Sequence, residues 1–143
     1  MMISTRGRYA LRVMVDLAEH EGAGPVPVRE IAERQQISDK YLEQIIGALS
    51  RAHLVKSLRG ASGGYRLGVP ATGITVGMIL RATEGDLAPI ACMQEGATPC
   101  ARSASCVSQK LFRRVYDAIN SVIDQVSLTE LVEEDRKGEE PPL

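Results

Sequence analysis

The chain has 143 residues and a mass of 15.5 kDa, with 44% hydrophobic residues, 24% charged residues and a formal net charge of −1. That size suits one domain with an appendage, and that balance suits a core-forming protein rather than a disordered chain. Residues 67–80 form the longest charge-free stretch and are too short and too broken by Gly68, Pro70, Gly73 and Gly77 to span a bilayer; no apolar run precedes Arg6 and Arg8 as a secretory signal would, and three cysteines, an odd number, point to reduced thiols in the cytoplasm.

Apolar spacing predicts short helices with one β interruption. Ser4 or Thr5 can cap a first helix whose apolar face is Ala10, Val13, Met14, Leu17 and Ala18, and Gly22, Gly24 and Pro25 end it. Pro27 starts a short second helix through Val28, Ile31 and Ala32, ending near Gln36. After the tight connection Ile37-Ser38, with Ser38 as N-cap, a third helix runs from about Asp39 to His53. From Val55 to Leu67 the period changes to that of a two-stranded hairpin with a glycine-rich tip, Gly60-Ala61-Ser62-Gly63-Gly64. Thr75 then caps a helix that stops at Gly85. Residues 86–106 have no period and contain all three cysteines. A long helix from about Val107 to Gln125 follows, with Phe112, Val115, Ile119, Val122 and Val126 at steps of three and four, which suits packing against a second helix. Ser127-Leu128-Thr129-Glu130 opens a final short helix, and the acidic tail is expected to be loose.

Two helices joined by a tight turn and followed by a hairpin outline a winged helix-turn-helix, and the expected fold is mainly α: a DNA-binding domain over residues 1–85, a cysteine loop over 86–106, a long helix suited to packing on a second helix and a short terminal helix over 107–134, and a loose tail over 135–143. Charge agrees, since residues 1–67 carry ten Lys and Arg against seven Asp and Glu, while residues 68–143 carry seven against eleven. On the third helix Leu42, Ile45, Ile46 and Leu49 form one face, and Lys40, Glu43, Gln44, Gly47 and Arg51 the other. Gln44 can bond adenine, Arg51 and Lys40 can reach guanine or phosphate, and Glu43 can accept from cytosine. Gly47 removes bulk where such a helix approaches a groove floor. The bland alternative is an amphipathic helix with a solvated face. Arg59 beside the glycine-rich tip tips the balance, because a cation on a slim loop can enter a minor groove, while bare amides and Ser62 can bond phosphates. Arg6, Arg8 and Arg12 can add backbone contacts.

Cys92, Cys100 and Cys106 are spaced C-x7-C-x5-C, without the C-x-x-C of a zinc ribbon or thioredoxin-like site, and His20 and His53 are remote in sequence. Three soft thiolates on one flexible loop suit iron–sulfur ligation, and Cys106 stands just before a long helix whose dipole favours a thiolate. The competing reading is three ordinary thiols. No H-E-x-x-H, G-x-S-x-G or paired Cys and His speaks for an enzyme.

The opening Ser4-Thr5-Arg6-Gly7-Arg8-Tyr9-Ala10, the helix start Ser38-Asp39-Lys40-Tyr41-Leu42-Glu43-Gln44 and the wing Val55-Lys56-Ser57-Leu58-Arg59-Gly60-Ala61-Ser62-Gly63-Gly64-Tyr65 resemble the Rrf-type family of bacterial transcription regulators, over residues 2 to about 134. The likeness is greatest to its iron–sulfur cluster regulators. The resemblance implies a homodimer on double-stranded promoter DNA with two half-sites, with the third helix in a major groove, the wing in a minor groove and the long helix crossing its partner's. The DNA-contacting set is then Arg8, Ser38, Lys40, Tyr41, Glu43, Gln44, Arg51, Arg59, Gly60, Ser62 and Gly63. The resemblance further implies that Cys92, Cys100 and Cys106 hold an iron–sulfur cluster, two-iron, two-sulfur ahead of four-iron, and that the chain acts as a repressor of iron–sulfur assembly or related stress genes. The alternative keeps DNA binding but senses by thiol oxidation, nitric oxide or a partner protein in sulfur metabolism, although that sulfur branch lacks the three cysteines. Two departures leave the fourth ligand open: Gln109 stands where a cluster-binding relative has histidine, and Arg8 where a nitric-oxide sensor has a ligating aspartate. Glu95, Ser103, Ser105, Ser108, a residue of the partner or a small molecule are candidates.

Overall fold

The computed structural model describes residues 2–139. The first helix, α1, spans Thr5–Glu19 and buries Ala10, Val13, Met14 and Leu17, the face that the apolar spacing predicts. Its start differs from expectation. Ser4 occupies the N-cap position but makes no cap bond of its own; instead the Ser4 amide, the Ser4 hydroxyl and the Gly7 amide all donate to Oε1 of Glu84, at 2.9, 2.5 and 3.0 Å. A carboxylate satisfies several orphan amides of a helix start and complements its dipole, so a residue eighty positions away replaces the local cap. Gly7 is demanded by this contact, because a Cβ there would lie 2.4 Å from that oxygen.

The second helix, α2, spans Val28–Gln35 and ends at Gln36 in the left-handed conformation (φ 55°). Buried Ile37 fills the turn, and Ser38 caps the third helix, α3 (Asp39–Arg51), by accepting from the Tyr41 amide at 3.2 Å. The expected end at His53 comes two residues early: His53 itself takes φ 62°, which no helix continues, and Leu54 donates to the Leu49 carbonyl.

Strands β1 (Val55–Leu58) and β2 (Gly64–Leu67) pair antiparallel, from Val55 opposite Leu67 to Leu58 opposite Gly64. Val26, just before α2, bridges Tyr65 through two 2.8 Å backbone bonds and so ties the hairpin to the helix pair. Helix α4 (Val76–Glu84) begins at Thr75, whose hydroxyl accepts from the Met78 amide, and ends at Gly85. Helix α5 spans Val107–Gln125 and α6 Leu128–Glu139. Ser127 and Glu130 cap α6 reciprocally, at 2.7 and 3.2 Å.

The core is shared by α1 to α4 and α6: Met14, Leu17, Ile31, Leu42, Ile45, Ile46, Leu49, Ile74, Ile79 and Leu128 are almost wholly buried. Leu128 corrects the expected boundary at residue 85. The winged domain is closed by α6, which returns across α1 and is pinned where Leu128 donates to the Ile74 carbonyl at 2.8 Å. The tail is also corrected: residues 135–139, expected to be loose, continue α6, with Arg136 and Lys137 complementing its C-terminal dipole and Lys137 beside Glu134. Residues 140–143 lie outside the described residues.

Candidate nucleic-acid interface and cysteine loop

On α3 the division of faces is complete. Leu42, Ile45, Ile46 and Leu49 are buried, while Lys40, Glu43, Gln44 and Arg51 are exposed in a row on the opposite side. Gly47 belongs to that row. A Cβ placed on it meets nothing closer than the Arg51 guanidinium at 3.5 Å, so packing within the chain does not require a glycine here.

The remaining expected contact residues divide by how far folding already uses them. Ser38 is exposed, but its hydroxyl is the α3 cap. Tyr41 is half-buried and packs edge-on against Tyr9, with ring centroids 6.0 Å apart. Arg12 stacks over the Tyr9 ring, 5.0 Å from its centroid, and donates to the Gln35 side chain and carbonyl. Arg8 is exposed in the first turn of α1, and its guanidinium donates to the Thr5 hydroxyl at 3.2 Å. On the wing, Arg59, Gly60 and Ser62 are exposed. Gly63 donates to the Gly60 carbonyl, and a Cβ on it would lie 2.3 Å from the Leu58 carbonyl oxygen; on Gly64 it would lie 2.4 Å from that of Val26. These two glycines are therefore fixed by the turn and by the Val26 bridge.

Behind this surface lies a polar node that the sequence reading missed. Asp16, 1% exposed, receives two bonds from Arg34 (2.7 and 2.9 Å) and one from the Gln35 side chain (2.9 Å), and it joins α1 to the end of α2. These bonds push the Arg34 guanidinium further above its ordinary range, against the opposing effect of burial. The available signal was an acid set within the apolar stripe Val13, Met14 and Leu17. A second node joins α4 to α5, where Arg81 bonds Asp124 (2.6 and 3.0 Å) and Asn120 (2.9 Å), holding the Asp124 carboxyl below its usual value.

The cysteine loop is built differently. Only Leu87 and Ala88 are buried; Cys92 and Cys100 are exposed and Cys106 is half-buried. Asp86 organises the loop by accepting from the Ala88 amide (2.8 Å) and the Glu95 amide (2.6 Å), which lower its carboxyl below the ordinary 3.8, the Glu95 bond most. Cys106 is the N-cap of α5, its sulfur accepting from the Gln109 amide at 3.4 Å, and the Gln109 side chain reaches Cys92 at 3.8 Å. Gln109 thus links the first and third cysteines, and Cys100 takes no part in that contact. The donor chemistry fits an iron–sulfur centre, three free thiols on one loop with one at a helix start. The folded loop does not preassemble it: among the described residues no three His, Cys, Asp or Glu side chains are gathered for a metal ion.

Helix α5 has no buried residue. Tyr116, Ile123 and Val126 pack on Val76, Leu80 and Leu87, whereas Val107, Leu111, Val115 and Val122 stay exposed, from 37 to 80%. The stripe expected to face a partner is therefore split, with Val126 used inside the chain and Val107 and Leu111 added to the open side. No described helix is long and apolar enough to cross a membrane.

Comparison with known proteins agrees with this architecture. The family described as Rrf2, iron-dependent transcriptional regulator, matches residues 3–134. The HTH-type transcriptional regulator IscR of Aliivibrio salmonicida is 41% identical over 132 residues, covering 92% of this chain and 77% of the relative. The regulator CymR of Bacillus subtilis is 40% identical over 131 residues, covering 92% and 89%. Among solved structures, CymR of B. subtilis, described as its global cysteine regulator, superposes with a TM-score of 0.77 over 94% of this chain and 98% of its own, and IscR of T. potens with 0.79 over 100% and 94% at 34% identity.

Proposed function

Because this chain belongs to the Rrf2 family of transcriptional regulators, we propose that it is a homodimeric, cytoplasmic repressor that binds promoter DNA and governs iron–sulfur cluster assembly or related stress genes. The observation that carries the DNA contact is the exposed row Lys40, Glu43, Gln44 and Arg51 on a helix anchored by its opposite face, with exposed Arg59 on the adjoining wing. In the major groove, Gln44 pairs with adenine, Arg51 or Lys40 with guanine or phosphate, and Glu43 with the cytosine amino group. Arg59 enters the neighbouring minor groove, and Arg8, Ser62 and the amides of Gly60 and Gly63 contact backbone. Ser38 and Tyr41 act mainly by fixing the start and tilt of α3. The open row Val107, Leu111, Val115 and Val122 supports pairing of α5 with its copy, which would set the separation of the two α3 helices and hence the half-site spacing.

The sensing part of the proposal assigns Cys92, Cys100 and Cys106 to an iron–sulfur cluster, the two-iron form ahead of the four-iron form. When bound, the cluster supplies a centre that responds to iron, sulfur and oxidants. The chain's own part is positional: Cys106 begins α5 and Asp86 clasps the loop just after α4, so restraint of the thiols is felt by the helix that sets half-site spacing. Protein purified without oxygen should carry iron and acid-labile sulfide, and its affinity for promoter DNA should change when chelation removes the iron. A colourless protein whose affinity ignores chelation would refute the cluster.

A second reading is favoured by the likeness to CymR and by the free, largely exposed thiols: DNA binding regulated in sulfur metabolism by thiol oxidation, nitric oxide or a partner protein. It expects no iron, and DNA affinity that changes with oxidant or partner.

A further inference from the structure

The wing carries a pair of cations that the fold itself does not explain. Lys56 and Arg66 stand directly opposite each other across β1 and β2, both exposed. Like charges in that register destabilise a hairpin, since their Cβ atoms lie only about 5 Å apart. No relief is nearby in sequence: between Glu43 and Glu84 there is no Asp or Glu, while Arg51, Lys56, Arg59, Arg66 and Arg81 fall in that stretch. None comes from folding either, because among the described residues neither Lys56 nor Arg66 joins an ion pair. The pair lines the cleft between the wing and the end of α1, of about 530 Å³, where Glu21 is the sole acid among the described lining residues. Two unneutralised cations held at fixed spacing by a hairpin form a receptor for a phosphate.

We propose that Lys56 and Arg66 form a phosphate clamp on the wing, gripping the DNA backbone beside the groove that Arg59 enters. This rests on the DNA-binding reading above. DNA is favoured over a free anion because the pair lies on the hairpin that carries Arg59, within one unbroken cationic stretch of chain. A cation–cation pair that costs the free protein stability is offset when a phosphate lies between the two side chains. Such contacts add affinity and register without sequence information.

The test uses the full chain, a duplex selected from a random pool and a scrambled duplex, with affinities measured over a range of salt. Lys56→Gln with Arg66→Gln should weaken binding to both duplexes by the same factor, about fivefold at 0.15 M salt for each subunit engaged, and flatten the log–log salt slope by about 0.9 for each subunit engaged. Thermal unfolding of this variant should be unchanged or higher, and Lys56→Arg with Arg66→Lys should keep the wild-type slope. Wild-type affinity and slope in the Gln variant would overturn the clamp while leaving DNA binding intact. Loss of thermal stabilisation by inorganic phosphate in that variant, with DNA affinity unchanged, would reassign the pair to a small anion and overturn it too. Failure of the wild-type chain to bind any duplex would sink the DNA reading and the clamp with it.

Discussion

The winged domain and residues 86–125 are held by different means. The domain closes on itself: α1 to α4 and α6 share one core, Asp16 is fully satisfied by Arg34 and Gln35, and Glu84 caps α1 from across the fold. The loop and α5 instead expose two cysteines and a row of large aliphatic side chains, and α5 is fastened chiefly along the face toward α4, through Tyr116, Ile123 and the Arg81–Asp124 pair. A self-sufficient domain presents a finished surface to a ligand; a segment with apolar residues left open is completed by something outside the chain. Substitutions in the first region should therefore be felt as lost folding stability, and those in the second as lost association.

The largest expected effect breaks the first region. Arg34→Ala leaves the Asp16 carboxylate buried without its cation and should lower unfolding free energy by about 3 kcal/mol in urea titration; a loss below about 1 kcal/mol would mean that the node does not hold α1 to α2. In the second region, Leu111→Glu should raise the dimer dissociation constant at least tenfold by sedimentation equilibrium, a leucine's burial being worth about 1.5–3 kcal/mol, yet change the winged domain's stability by less than about 0.5 kcal/mol. Equal loss in both measurements would erase the distinction. Gly47→Ala sharpens it further, since nothing in the chain requires the glycine: stability should rise by about 0.5–1 kcal/mol while DNA affinity falls. If both rise together, no groove closely approaches that part of α3. The smallest effect concerns pH. The Asp86 carboxyl is lowered in the fold, so the stability it contributes is fully present above its unfolded value near 3.8 and is lost as pH falls through its lower folded value. Amide exchange at Ala88 and Glu95 should accelerate in that acid range, and Asp86→Asn should remove the dependence.

Legibility in the sequence followed locality. The faces of α3, the Ser38 cap and the Ser127–Glu130 start of α6 depend on residues within a turn of each other, so periodicity and capping chemistry predict them. The hairpin was legible for the same reason, although Gly63 and Gly64 prove to be demanded by backbone contacts rather than by an open tip alone. What stayed hidden joins distant residues: Glu84 with Ser4, Asp16 with Arg34, Arg81 with Asp124 and Leu128 in the main core. The cysteines were legible as a set by spacing, but whether three thiols meet depends on a loop whose course no period specifies, and here Gln109 joins only two of them.

The central claim is that α3 and the wing discriminate DNA sequence, and it is tested most directly by fluorescence anisotropy on a selected and a scrambled duplex. Gln44→Ala and Arg59→Ala, each folded as judged by circular dichroism, should lose about 1–3 kcal/mol of the difference between the two duplexes. Discrimination equal to wild type in both variants would contradict the account.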